Sequence, residues 1–319
     1  MQVVNARDVE SRLCWVDLAR AIELGHQLPR AEISDSFLTR GDDTLLLRSA
    51  WIDGLGMAVK VATIFPGNSK QQLPSVQGSV TLYDDRAGGL DAMVDFDLVT
   101  RYKTVGDSFL AASRLARPDC EQVLIVGSGR IAATALSAYQ TMFPDARFEI
   151  WNHHATSAKN LADKFAERIE TKGETEFRKV TVATDLATAV NRADLICCAT
   201  LSKTPLIKGQ WLRAGQHIDL IGAFRADMRE ADDEVLRRGR LFVDSRETTL
   251  EHIGELAIPI AAGVIEPKDV MADFYDLSLG RFVRESREDI TVFKNGGGAH
   301  LDLMTAKYIL TCYQRLQKK

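Results

Sequence analysis

From Gln122 onward the chain repeats one pattern: a short, near-continuous apolar run, then an amphipathic stretch at helical spacing. "QVLIVG" leads into a helical segment ending near Met142, "FEIWN" leads into "SAKNLADKFAERI", and "KVTVAT", "ADLICCAT", "HIDLIGA" and "RLFVDS" follow. A strand that is apolar on both sides is covered on both faces, and in this rhythm the cover is helices above and below a parallel sheet. The pattern predicts an α/β fold with a Rossmann-type doubly wound parallel sheet beginning near residue 118. Earlier the rhythm differs. "TLLLRSAWI", "LGMAVKVATIF", "GSVTLYD" and "LDAMVDF" read as strands punctuated by Gly, Pro, Asn and Asp, with a helix over roughly Thr104 to Leu115.

The length of 319 residues suits two ordinary domains. Forty basic against 44 acidic residues give a net charge of −4, so no global basic field exists to hold nucleic acid or an anionic membrane. No apolar run approaches the roughly 20 residues needed to span a bilayer. The first residues carry charge and lack the apolar centre of a signal peptide, so a cytoplasmic location is expected. Five cysteines with no C-x-x-C spacing favour neither a disulfide framework nor a metal site, and none is expected. Cys197 and Cys198, inside an apolar run, are expected to be buried and inert.

The first apolar run of the α/β part ends in "GSGRIA", which places Gly127, Gly129 and Ala132 in a G-x-G-x-x-A pattern. Such a turn brings backbone close to a pyrophosphate, and the following helix offers free N–H groups to it. Gly127, Ser128, Gly129, Arg130 and Ile131 are therefore candidate dinucleotide contacts. The end of the second strand reads Asn152-His153-His154 with no carboxylate to bind a ribose 2′-hydroxyl. That inclines the reading to NADPH over NADH, although the customary arginine is absent too. The alternative is a tight turn that holds no ligand.

Beyond these motifs the chain resembles the ornithine cyclodeaminase/mu-crystallin family. The resemblance rests on "MAVKVATIFPGN", "LVTRYKT" (T-x-x-R-T with lysine for the arginine), "VLIVGSGRIA", "ATLSKTPLIKGQWLRAGQHIDLIGAFRADMREADDEVL" and "VFKNGGGAHLD". "HIDLIGAFRADMREADD" with "AAGVIEPKDVMADFYDLSLGR" is most similar to the branch of cyclic ketimine reductases. It implies a homodimer whose subunits pair a dinucleotide-binding domain (118–290) with an α+β substrate and dimerisation domain (1–117 and 291–319). It implies NAD(P)H-dependent reduction of a cyclic ketimine, Δ1-pyrroline-2-carboxylate to L-proline or Δ1-piperideine-2-carboxylate to L-pipecolate. The competing readings are an ornithine cyclodeaminase, an alanine or N-alkyl amino acid dehydrogenase, and a non-catalytic ligand binder.

On the resemblance, the cations that fix the substrate carboxylate are Arg40, Lys60 and Lys103, with Arg48 and Arg101 as alternatives. Lys60 also stands out by itself, because a lysine in a strand apolar on both faces is costly unless it is paired or used. Ser75 is the candidate polar group of the substrate pocket. Thr200 and Leu201 fall at a strand edge expected to meet the ribose and nicotinamide, and Asp302 is expected to contact the cofactor or cap the last helix. Phe224 occupies the position where ornithine cyclodeaminases carry an aspartate. Phenylalanine moves no proton, which disfavours loss of ammonia and favours reduction of a preformed imine.

Overall fold

The first strands follow from residue alternation. After β1 (Gln2–Val4) and helices α1 (Ala6–Val9) and α2 (Trp15–Gly25), the chain zigzags through β2 (Glu32–Arg40), β3 (Asp43–Ile52), β4 (Gly56–Ile64), β5 (Val76–Tyr83) and β6 (Leu90–Asp95). The result is a six-stranded sheet in the order β1-β6-β5-β4-β3-β2, antiparallel except that β1 runs parallel to β6. In β4, Ala58, Lys60 and Ala62 are buried while Val59, Val61 and Thr63 are half-buried. Period-two alternation thus gives the sheet one covered face and one open face. Register sets Arg48 opposite Lys60 and Val80 on its other side, all on the covered face.

Helix α3 (Phe96–Leu115) begins well before the expected Thr104. The Asp95 carboxylate accepts the Leu98 amide at 2.7 Å and ends the strand, and Leu98, Val99 and Tyr102 then supply a buried stripe. The polar "TRYKT" interior hid this helix from a reading of apolar periodicity.

The second sheet has eight parallel strands. They are β7 (Gln122–Val126), β8 (Arg147–Trp151), β9 (Val180–Val182), β10 (Leu195–Cys198), β11 (His217–Leu220), β12 (Arg240–Val243), β13 (Val270–Ala272) and β14 (Thr291–Lys294), ordered β13-β12-β14-β11-β10-β7-β8-β9. Helices α4 (Arg130–Met142), α5 (Ala155–Lys172), α6 (Leu186–Arg192), α7 (Asp233–Arg238), α8 (Arg246–Thr249) and α9 (Gly254–Ala261) connect them. Strand order turns back between β7 and β10, the topological switch point at which such sheets take ligands. Leu124, Val126, Ile196, Ile218, Leu220, Val243 and Val292 fill the core. Cys197 and Cys198 lie in it fully buried, their thiols pushed well up by burial.

Helix α10 (Ala299–Gln317) then returns to the first sheet and packs on β2 through β6 and on α2. This computed structural model describes residues 1–172 and 180–318. The chain forms two units, Met1–Gly106 with Gly297–Lys319, and Asp107–Gly296. The divisions therefore fall inside α3 and at a glycine pair, where the sequence suggested 117/118 and 290/291. Residues 291–294 belong with the parallel sheet because β14 pairs with both β11 and β12.

One buried histidine makes this sheet acid-sensitive. His217 Nδ1 lies 2.9 Å from Thr291 Oγ1, which itself donates to the Leu115 carbonyl and accepts from Arg284. Nδ1 must therefore carry the proton, and Nε2 has no hydrogen-bond partner among the described residues. Burial, helped by the Arg284 charge, pushes the imidazole down to about 3. The unfolded chain, with an ordinary histidine near 6.5, binds this proton first, so stability falls as pH drops below that value. His217→Asn keeps an N–H toward Thr291 and removes the titration. In urea unfolding, the native protein is expected to lose about 2 kcal/mol more than this variant between pH 7 and pH 5. Equal losses would show that His217 does not titrate on unfolding.

Candidate functional site

The glycine loop has the form its sequence suggests. Gly127 follows β7 with φ +121, and a Cβ there would lie 2.6 Å from the Ala199 carbonyl oxygen, so only glycine fits. Its amide donates to the Trp151 carbonyl at 2.8 Å, fastening the turn across to β8. Gly129 differs: it caps α4 in extended conformation, and nothing lies within 4 Å of where its Cβ would be. No side chain caps the start of α4. Ala132 is fully buried. A glycine-only turn, an unencumbered Gly129 and a close-packed Ala132 are the features by which such a loop approaches a phosphate group. Asn152 Nδ2 donates to Ser128 Oγ at 2.8 Å, joining the loop to the end of β8, and exposed His153 and His154 follow with their rings edge to face.

Thr200, at the end of β10, is already engaged. Its amide and hydroxyl donate to Glu230 Oε1 at 2.8 and 2.7 Å, while Glu230 Oε2 accepts the Gly222 amide at 2.6 Å. One buried carboxylate thereby ties the ends of β10 and β11 together. Glu255 accepts the Glu230 and Ala231 amides, and Lys294, fully enclosed, donates to the Leu220 carbonyl at 2.8 Å. Burial raises both carboxyls, Glu255 to about 7, while nearby Lys294 opposes the rise. Leu201 stands 78% exposed beyond the strand end, and Phe224 is also exposed.

The other unit holds a compact ionic cluster. Lys60 Nζ donates to Asp302 Oδ1 and to Thr100 Oγ1, each at 2.8 Å, and lies over the Phe96 ring at 4.9 Å. Arg48, its neighbour across the ladder, forms a two-pronged pair with Asp35 at 3.0 and 2.5 Å. Lys103 is buried, one helical turn beyond Thr100, and a side chain at Gly297 would strike its ammonium. Burial drives the Lys60 ammonium below its ordinary value, with Lys103 and Arg48 adding to the fall and Asp302 opposing it. Burial would raise Asp302, yet Lys60, Lys103 and Arg48 together hold it below the usual carboxylate range. Asp302 is therefore ionised.

Three expected residues are placed elsewhere. Arg40 sits at the tip of the β2–β3 hairpin with its side chain 84% exposed, paired with Asp43 at 3.3 Å. The cluster's arginine is Arg48, because only it shares a rung with Lys60; Arg101 is occupied by Glu10 and Asp97. Ser75 lies just past the Ile64–Val76 rung, with its carbonyl accepting the Phe65 amide, whereas Lys60 is opposite Val80. Asp302 does not cap α10, whose cap is Gly298. It is the counter-ion of Lys60. A carboxylate 242 residues from its lysine gives no signal of proximity in one sequence.

The sequence profile of the ornithine cyclodeaminase/mu-crystallin family matches residues 29–319. The chain belongs to this family. A Delta(1)-pyrroline-2-carboxylate reductase of Paracoccus denitrificans is 48% identical over 97% of this chain and 96% of its own length. Among solved structures, a Thermococcus litoralis Delta(1)-pyrroline-2-carboxylate reductase in complex with NADH and L-proline superposes with a TM-score of 0.89 at 26% identity, covering 99% of this chain and 98% of that one. An archaeal alanine dehydrogenase dimer with bound NAD gives 0.86 at 26% identity, covering 99% and 97%. In this family member T-x-x-R-T becomes Thr100-x-x-Lys103-Thr104, and both leading residues serve the cluster, Thr100 by bonding Lys60 and Lys103 by its charge.

Proposed function

We propose that the chain reduces a cyclic ketimine carboxylate, Δ1-pyrroline-2-carboxylate to L-proline and its six-membered homologue to L-pipecolate. The observation that carries this reading is the cluster of half-buried Arg48 with buried Lys60 and Lys103, set in a family member 48% identical to a Delta(1)-pyrroline-2-carboxylate reductase. Cations of this kind orient a small carboxylate, and fixing that group fixes C2 of the ring. Lys60 is itself fixed by Asp302, Thr100 and the Phe96 face, so it costs little reorganisation when a substrate arrives.

A bound nicotinamide dinucleotide supplies the hydride. The N-terminus of α4 suits its pyrophosphate, and Gly129 leaves room for it. Asn152, His153 and His154 offer nothing that repels a 2′-phosphate, which supports NADPH as the preferred donor. Phe224 bears no acid or base, so the enzyme reduces an imine already formed and does not release ammonia from ornithine.

Purified protein given Δ1-pyrroline-2-carboxylate is expected to consume NADPH, and NADH more slowly, at 340 nm, and to yield no ammonia from ornithine with NAD. Ammonia release, or no turnover with the imine, would reject this reading.

The second copy of a homodimer sits on the open face of the first sheet. There Leu47 pairs with Val61 and Trp51 with Met57, half-buried or exposed, with Met93 and Leu38 beside them as exposed apolar side chains. Exposed apolar side chains gathered on one sheet face mark an interface. Val61→Lys is expected to give a monomer in sedimentation, whereas an unchanged mass would place the interface elsewhere.

A further inference from the structure

Asp302 is an ionised carboxylate with half of its capacity unused. Oδ1 accepts from Lys60, but Oδ2, buried from solvent, has no hydrogen-bond partner among the described residues. A buried charged oxygen left without a donor is destabilising, and natural sites keep one where a ligand completes it. Two further cations, Arg48 and Lys103, act on the same carboxylate, and Arg48 keeps 24% of its side chain exposed. A ligand that suits this arrangement carries an anion for the cations and a positively charged N–H for Oδ2.

We propose that Asp302 Oδ2 receives the protonated ring nitrogen of the substrate and so selects the iminium form of a cyclic α-imino acid. This rests on the reading of function above. In such a ring the carboxylate and the nitrogen share C2, so a group seated on Arg48, Lys60 and Lys103 has its N–H beside the Asp302 carboxylate. The step then balances without a separate acid. Hydride adds to C2, the C=N π pair moves onto nitrogen as a lone pair, and the proton already on nitrogen stays there, giving the neutral secondary amine. Asp302 holds that proton in place during the step and stabilises the cation from which it starts.

The test compares two ring carboxylates of one shape in calorimetric titrations with oxidised nicotinamide dinucleotide present. L-proline carries a cationic N–H, and (S)-tetrahydrofuran-2-carboxylate replaces it with an ether oxygen. Native protein is expected to prefer proline by about tenfold to a hundredfold, the range of a charge-assisted hydrogen bond. Asp302→Asn keeps an oxygen for Lys60 and removes the charge. It is expected to bring the two affinities within about threefold and to raise KM for the imine. Equal binding of both ligands by native protein, or a parallel loss of both in the variant, would overturn the assignment, the latter showing that Asp302 only positions Lys60. If Asp302→Asn does not fold, the native comparison decides alone. Native protein that discriminates between the ligands yet leaves Δ1-pyrroline-2-carboxylate unreduced would overturn the functional reading and leave Asp302 as the nitrogen's partner.

Discussion

Lys60→Met is expected to lower kcat/KM for the ketimine by about a thousandfold, or ~4 kcal/mol of transition-state stabilisation. Methionine keeps the unbranched apolar stem of lysine and removes only the terminal ammonium that faces Phe96 and Asp302, so packing alone does not explain such a loss. The variant is also expected to be less stable by about 3 kcal/mol in urea unfolding, because Asp302 loses its hydrogen-bonded counter-ion inside the protein. The two losses separate in the double variant Lys60→Met with Asp302→Asn. Removing the orphaned charge restores most of the stability, and activity stays low because the carboxylate clamp is still missing. Recovery of activity in the double variant would show that Lys60 serves only to neutralise Asp302. Lys60→Met at native activity would remove it from the site.

The second large effect concerns Gly129. Alanine there meets no atom within 4 Å and keeps an ordinary φ of −78, so unfolding stability is expected to change by less than about 0.5 kcal/mol. The added methyl nevertheless stands in the open space before the α4 amides. Dinucleotide affinity, measured by fluorescence titration, is expected to fall about a hundredfold, equal to ~2.7 kcal/mol. Gly127→Ala provides the contrast. Its Cβ collides with the Ala199 carbonyl and its φ is left-handed, so the loss appears first in stability. Unaltered affinity in Gly129→Ala would mean that the pyrophosphate lies away from this helix end.

The two sites were unequally visible in the sequence. The glycine loop and the parallel strands were legible because their signals are local: an apolar run, a turn that admits only glycine, then a helix. Lys60 was legible as an anomaly within its strand. Its partners were not, because they come together through strand register and the packing of a distant helix. Arg40 and Arg48 look alike as letters. One ends a hairpin and the other shares a rung with Lys60, and only the ladder separates them. The early start of helix α3 is hidden for a related reason, since Thr100 and Lys103, which serve the ionic cluster, interrupt its apolar stripe. Glu230 and Lys294 carry no local signal in the sequence. Their burial arises only when the ends of β10, β11 and β14 assemble around them.

The Lys60–Asp302 pair also sets an order of events during synthesis. The ribosome makes the strand carrying Lys60 early and the helix carrying its counter-ion 242 residues later, roughly 10–50 s at the usual pace of translation. Throughout that interval neither α10 nor Asp302 exists to cover the Lys60 ammonium. The parallel domain is complete before α10 is made. The unit of the six-stranded sheet is the first begun and the last finished, and a chain arrested short of Asp302 carries the parallel sheet without the charge that anchors its lysine.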